Sequence, residues 1–359
     1  MRVRFPAPTD ARPAVTVVIP CYRQGQYLEA AVGAVLAQDD VDPRVVIVDD
    51  ASPDGSLAAG RRLAVDERVQ VIAHDGRAGR IASCNDGLAA VTTEFVAVVS
   101  ADDLVAPGAL GRAARLMLAE PTVGMVYGRP LELDDGSDAA GVGAGTRRVT
   151  WTVWHGHEWI RLACWRGRSF ILSPEVVVRM EAVRQVGPYD ARLPHSDELE
   201  FPLRMAARWD VARVNGPPQA MHRVHADDTK DSAFDGMAEQ LRERAAAFRT
   251  IGAPGTREAV PGYDLLLSRA ERAVAREALL LAQRELDGGG DADVASDLYR
   301  VAGEVRRSSL RRRRGRAVVR GLRRAYAGGS PRLAQRCIEA CRRQLDRLRW
   351  SFWRHVGIS

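Results

Sequence analysis

Phe95-Val96-Ala97-Val98-Val99-Ser100-Ala101-Asp102-Asp103 decides the reading of this chain. Its first five residues are apolar and mostly β-branched or aromatic, the pattern of a strand buried on both faces. The run then delivers two adjacent carboxylates to its carboxyl end, with Pro107-Gly108 as the next helix start. In open α/β sheets, ligands bind at that edge. Neighbouring carboxylates repel each other unless a proton or cation intervenes, and a hard divalent cation carrying substrate phosphates would satisfy both. The same residues would also serve as a solvated acidic turn capping the following helix.

On either side of this stretch the chain alternates strand and helix. Strands are predicted at Val15–Ile19, Arg44–Val48, Val69–Ile72 and Gly124–Tyr127, and helices over 26–37, 79–90 and 107–119. Alternation at this spacing predicts an α/β fold with a mainly parallel central sheet. The segment from about 128 to 230 is less regular. It holds a glycine-rich stretch at 136–145 and the cluster Trp151, Trp154, Trp159 and Trp165, for which core packing is the expected role. A helical pattern over 197–208 and strands at 211–214 and 219–224 complete it. Beyond Ser232 the chain reads as helical, broken at Ile251-Gly252-Ala253-Pro254-Gly255 and Gly288-Gly289-Gly290. The expected organisation is an N-terminal arm (1–13), an α/β domain (14–231) and an Arg-rich, α-helical C-terminal region (232–359).

The chain has 359 residues, 46% hydrophobic and 27% charged, as in ordinary globular proteins. It contains no apolar run of transmembrane length, and its start lacks the apolar core of a signal peptide. Five scattered cysteines do not form a disulfide framework, so a cytoplasmic location is expected. The net charge of +6 is unevenly spread. From Val301 onward there are 17 arginines against three acidic residues, Glu304, Glu339 and Asp346.

The first strand ends in Pro20-Cys21-Tyr22-Arg23-Gln24-Gly25, and the second in Asp49-Asp50-Ala51-Ser52-Pro53-Asp54-Gly55-Ser56. They lie one βαβ unit apart, so both tips reach the edge that carries Asp102. There, Asp50 could accept hydrogen bonds from a base or ribose, and Tyr22 could stack. No glycine-rich phosphate loop follows the first strand, which leaves phosphate charge to a cation or to arginine.

These pieces together resemble the family 2 glycosyltransferases. The similar stretches are 18–28, 48–56, Gly79–Gly87, Ser100–Asp103 and the run from Ser173 to His225, which includes Leu193–Arg204 and His222-Arg223-Val224-His225. The resemblance covers about residues 14–230 and implies an inverting, metal-dependent enzyme of the GT-A fold. It implies a nucleotide-diphosphate sugar as donor and a saccharide or lipid-linked acceptor. By resemblance, Pro20, Tyr22 and Asp50 would hold the nucleoside and Arg80 the diphosphate. Asp102 and Asp103 would bind Mn2+ or Mg2+, Asp102 also touching the sugar nucleotide, and His225 would approach the diphosphate or the metal. The family's base falls on Glu198, with Asp197 beside it as the alternative. Three positions depart from the family pattern: Ser100 and Glu198 stand where Asp is usual, and His222 where an aromatic residue is frequent. Ser100 and Glu198 motivate a rival class, a sugar-nucleotide-binding protein without turnover.

The C-terminal arginines are interleaved with Leu345, Leu348, Trp350, Phe352 and Trp353. A basic amphipathic helix of this kind suits an anionic membrane surface, which makes a peripheral position at the inner membrane face an expectation. Nucleic acid is not expected as a partner.

Overall fold

The computed structural model describes residues 1–6, 12–134, 148–171, 173–224, 236–253 and 256–327. The chain divides into two compact units, Met1–Ile160 with Phe170–Ala226, and Arg161–Ser169 with Asp227–Ser359. Strands of the first unit are β1 (Arg2–Arg4), β2 (Ala14–Cys21), β3 (Asp42–Asp49), β4 (Val69–Ala73), β5 (Phe95–Val98), β6 (Leu104–Val105), β7 (Val123–Tyr127), β8 (Pro130–Asp134), β9 (Thr150–Trp154), β10 (Val177–Arg179), β11 (Asp210–Asn215) and β12 (Ala220–Val224). Its helices are α1 (Gly25–Leu36), α2 (Ser56–Leu63), α3 (Arg80–Ala89), α4 (Ala109–Ala119), the start of α5 (Gly156–Arg166), α6 (Met180–Val186) and α7 (Asp197–Ala206).

Nine strands form one sheet in the order β1-β9-β11-β7-β10-β5-β2-β3-β4. The half built from β5, β2, β3 and β4 is parallel throughout. Elsewhere β11 is parallel to β7, but β10 runs antiparallel to both β5 and β7, and β9 antiparallel to β11 and β1. The expected mainly parallel sheet is therefore a mixed one. The antiparallel strands come from the middle of the chain and its first residues, where no strand–helix alternation indicates a direction. A second sheet, β6-β12-β8, carries the turn that follows β5.

Period-two alternation assigns the faces of the parallel half. Val15, Val17 and Ile19 of β2 join Leu28, Val32 and Val35 of α1 in one apolar core. Val18 and Val48 point the other way, toward α3, where a Cβ on Gly87 would lie 2.2 Å from Val18 Cγ1. Glycine there lets the helix approach the sheet. Pro20 sits in a central strand without disrupting it, because the β5 pairing stops at Val18↔Val98 and leaves no ladder bond for a missing N–H. Trp151, Trp154 and Trp159 are buried, as packing predicts, whereas Trp165 is 71% exposed.

The second unit contains α8 (Met237–Thr250), α9 (Tyr263–Gly288), α10 (Ala292–Arg306) and α11 (Arg313–Tyr326). The glycine breaker acts as the sequence suggests. Gly289 ends α9 in the left-handed region at φ +78°, and the Asp291 carboxylate caps α10 by accepting from Asp293 N at 2.7 Å. The basic stretch at 342–354 and the cysteines Cys337 and Cys341 lie outside the described residues.

Candidate active site

Asp50 stands just beyond β3 and is 3% exposed. Its carboxylate accepts from Ala78 N (2.7 Å) and Gly79 N (2.8 Å) and bonds His74 Nδ1 at 2.9 Å. Burial pushes the Asp50 carboxyl up, but the bonds from His74 and the two backbone N–H groups outweigh it, leaving it below the usual range. His74 Nε2 reaches Asp86 at 3.0 Å. An imidazole set between two carboxylates donates from both nitrogens only when protonated, and its pKa is raised, first by Asp50. Asp50 thus organises the loop that leads into α3. Tyr22 faces the same loop. The Arg77 guanidinium lies over its ring at 4.3 Å and that of Arg23 at 5.6 Å. Arg23 and Ala51 both adopt the left-handed region, at φ +58° and +53°, and Arg23 N donates to Ser52 Oγ. The tips of β2 and β3 are therefore tied together.

The turn after β5 is held from the second sheet. β6 pairs with β12, matching Leu104 to Met221. This puts the buried Asp103 against β12, where its Oδ1 accepts from Arg223 N (3.0 Å) and His222 Nδ1 (2.9 Å). Arg223 also donates from Nε to the Asp102 carbonyl at 3.3 Å. Asp102 is half-buried. His222 is raised above its ordinary pKa by the Asp103 bond, against the opposing effect of burial, with Asp103, Asp102 and Glu198 adding Coulombic pull.

Glu198 stands in the first turn of α7. Ser196 occupies the cap position and makes no side-chain cap bond. Asp197 pairs with the Arg80 guanidinium, and Glu200 pairs with Arg204. Asp197 is 4% exposed, while Glu198 is half-buried. Beneath them lies a mostly apolar cavity lined by Val96, Val98, Tyr189, Phe201 and Pro202 among others. Burial pushes the thiols of Cys21 and Cys84 up to about 11, which removes both as nucleophiles.

The structure thus gathers Asp102, Asp103 and Glu198 at one end of the sheet, with Asp50, Tyr22 and Pro20 on the adjoining strand tips. It engages Arg80 and Asp197 with each other. His225 lies outside the described residues. Among the described residues no group of three His, Cys, Asp or Glu side chains is placed to hold a metal ion. Sequence reasoning missed three participants: His74, Arg77 and His222. His74 carried a usable signal, because it follows the apolar run of β4 as Asp50 follows that of β3. His222 and Arg77 depend on partners more than fifty residues away and left no local trace.

Residues 16–161 match the family described as Glycosyl transferase family 2. An uncharacterized glycosyltransferase of Nostoc sp. is 34% identical over 128 residues, 34% of this chain and 38% of that protein. The succinoglycan biosynthesis protein ExoO of Rhizobium meliloti is 36% identical over 107 residues, 30% of each chain. The chain thus spans little more than a third of these relatives at most. The crystal structure of S. aureus TarS 1–349 superposes with a TM-score of 0.58 at 14% identity, covering 92% of this chain and 91% of that one. That likeness is one of fold.

Proposed function

We propose that this chain, whose residues 16–161 match glycosyl transferase family 2, moves a sugar from a nucleotide-diphosphate donor to an acceptor hydroxyl, with inversion. The observation that carries this reading is that Glu198 lines one cavity with Val96 and Val98 of β5, the strand whose following turn carries Asp102 and Asp103, with Asp103 bonded to His222 at 2.9 Å. Inversion needs an acceptor oxygen to attack the anomeric carbon opposite the leaving diphosphate. A bond forms from that oxygen to the anomeric carbon as the carbon–diphosphate bond breaks. Glu198 takes the hydroxyl proton, and the nucleoside diphosphate departs.

Tyr22, Pro20 and Asp50 border the place for the nucleoside. A divalent cation, Mn2+ or Mg2+, fits as one held mainly by the donor's diphosphate, with half-buried Asp102 as its protein ligand and Asp103 supporting that turn through His222 and Arg223. Such a cation would stabilise charge on the leaving oxygens. The name of the succinoglycan relative supports a polysaccharide or cell-envelope product.

The charge pattern of α11 supports a surface location. Arg313, Arg316, Arg320 and Arg323 are all exposed, and their spacing of three, four and three puts them on one face, with Gly315 and Val318 buried behind. No acidic residue occurs between Val305 and Ala327. Among the described residues no helix is long and apolar enough to cross a membrane. Peripheral attachment to an anionic surface, on the side where nucleotide sugars are made, agrees with this charge pattern and with a lipid-linked acceptor.

The test is transfer from a panel of nucleotide sugars, with and without Mn2+. Glu198→Gln should lower turnover by about 100- to 10,000-fold while nucleotide affinity stays unchanged. Unchanged turnover would overturn the assignment, and donor binding without turnover in the natural chain would favour the binding-protein reading.

A further inference from the structure

The donor loop and the base helix are joined by an unbroken chain of contacts. Asp50 grips the N–H groups of Ala78 and Gly79. Gly79, at φ +93°, caps α3, and Arg80 is the first residue of that helix. The Arg80 guanidinium pairs with Asp197, whose side chain is only 6% exposed, and Arg80 Nη1 lies 3.8 Å from Cys84 Sγ. Glu198 is the next residue after Asp197. One position past Cys84, Asn85 holds Tyr189 by both its N–H (2.9 Å) and its carbonyl (3.0 Å). At the far end of α7, Arg204 pairs with Glu200 and donates to the Pro188 carbonyl at 2.7 Å. The start of α7 and the loop before it are therefore fastened to the first turns of α3, which are fastened to Asp50.

We propose that Arg80 is a positioning residue, which sets Glu198 through Asp197 and ties that setting to the donor loop at Asp50, and that it is not the ligand of the diphosphate. The proposal rests on Glu198 being the base. Its physical ground is the cost of the alternative. A phosphate that drew the guanidinium away would leave Asp197 buried and uncompensated, and unpairing a buried charge is strongly unfavourable.

The experiment compares Arg80→Gln, Asp197→Asn, the double variant and Arg80→Lys in the full chain. Two quantities are read: turnover at saturating donor across pH, and affinity for UDP and GDP by calorimetry. Each single change should lower turnover by about 100-fold, the scale of a misplacement near 1 Å, and leave nucleotide affinity unchanged. The double variant should be no worse than either single, because both remove one interaction. Arg80→Lys should recover part of the loss, and the limb of the pH–rate curve that reports the base should move in the singles. Loss of UDP and GDP affinity in Arg80→Gln but not in Asp197→Asn would overturn the proposal, as would multiplying effects in the double variant. Full turnover by Glu198→Gln would overturn the base assignment and this proposal with it, whereas the two preceding outcomes defeat this proposal alone.

Discussion

Asp50 binds three donors with one buried carboxylate, so its replacement is unusually costly. In Asp50→Asn one amide oxygen must serve two backbone N–H groups while the new NH2 faces a donor. Chemical denaturation should show a loss of about 3 kcal/mol, the scale of charge-assisted bonds. His74 adds a pH dependence. Its folded-state pKa lies above the ordinary 6.5, chiefly through the Asp50 bond. The native chain therefore holds that proton more tightly than the unfolded chain. The stabilisation is complete below about pH 6.5 and is lost as pH rises through the raised native value. Urea titrations from about pH 6 to 9 should show this decline, and His74→Gln should abolish it. Asp50 and Asp102 were legible because each follows an apolar run onto the sheet edge. The pairing of Arg80 with Asp197 was not. The two lie 117 positions apart, and a guanidinium at a helix start suits a phosphate as well as a carboxylate.

At the scale of elements, α3 is the part most constrained by the sheet. Gly87→Ala would drive a methyl into Val18 and toward Val48, whose Cγ2 would lie 3.2 Å from the added carbon. β-branched neighbours in a packed core give way poorly, so a loss of about 1–3 kcal/mol is expected in urea melts, with turnover reduced as Arg80 and the Asp197 it pairs with shift. Elements with strong periodicity were legible in the sequence almost to their ends, among them β2, β3, α1 and α3. β1, β6 and β8 were not, because two to five residues carry too little pattern to be recognised. The Thr150–Trp154 strand was hidden for another reason: its tryptophans suggest packing without indicating a period.

At the scale of the whole molecule, the basic stripe of α11 makes binding to a charged surface measurable. The full-length chain should sediment with anionic vesicles and be released as salt rises. Changing Arg316, Arg320 and Arg323 to Gln should weaken partitioning by about fivefold per charge, from roughly 1 kcal/mol each. A chain that never sediments with such vesicles would refute surface attachment. The class of fold was legible at this scale, but the mixed sheet was not, since pairing direction is decided by distant partners. The strand β10 depends on such partners on both sides. Its three residues form the seam between the parallel half of the sheet and the half that begins at β7, since β5 and β7 each pair with β10 and not with each other. Those residues are synthesised last of the three strands, about fifty positions after Tyr127. During translation the facing edges of β5 and β7 therefore stay open until Val177–Arg179 emerge, and the other edge of β7 until β11 follows. A fragment cut at residue 161, the end of the family match, would lack both β10 and β11, leave the edges they cover open, and should aggregate more readily than the full chain.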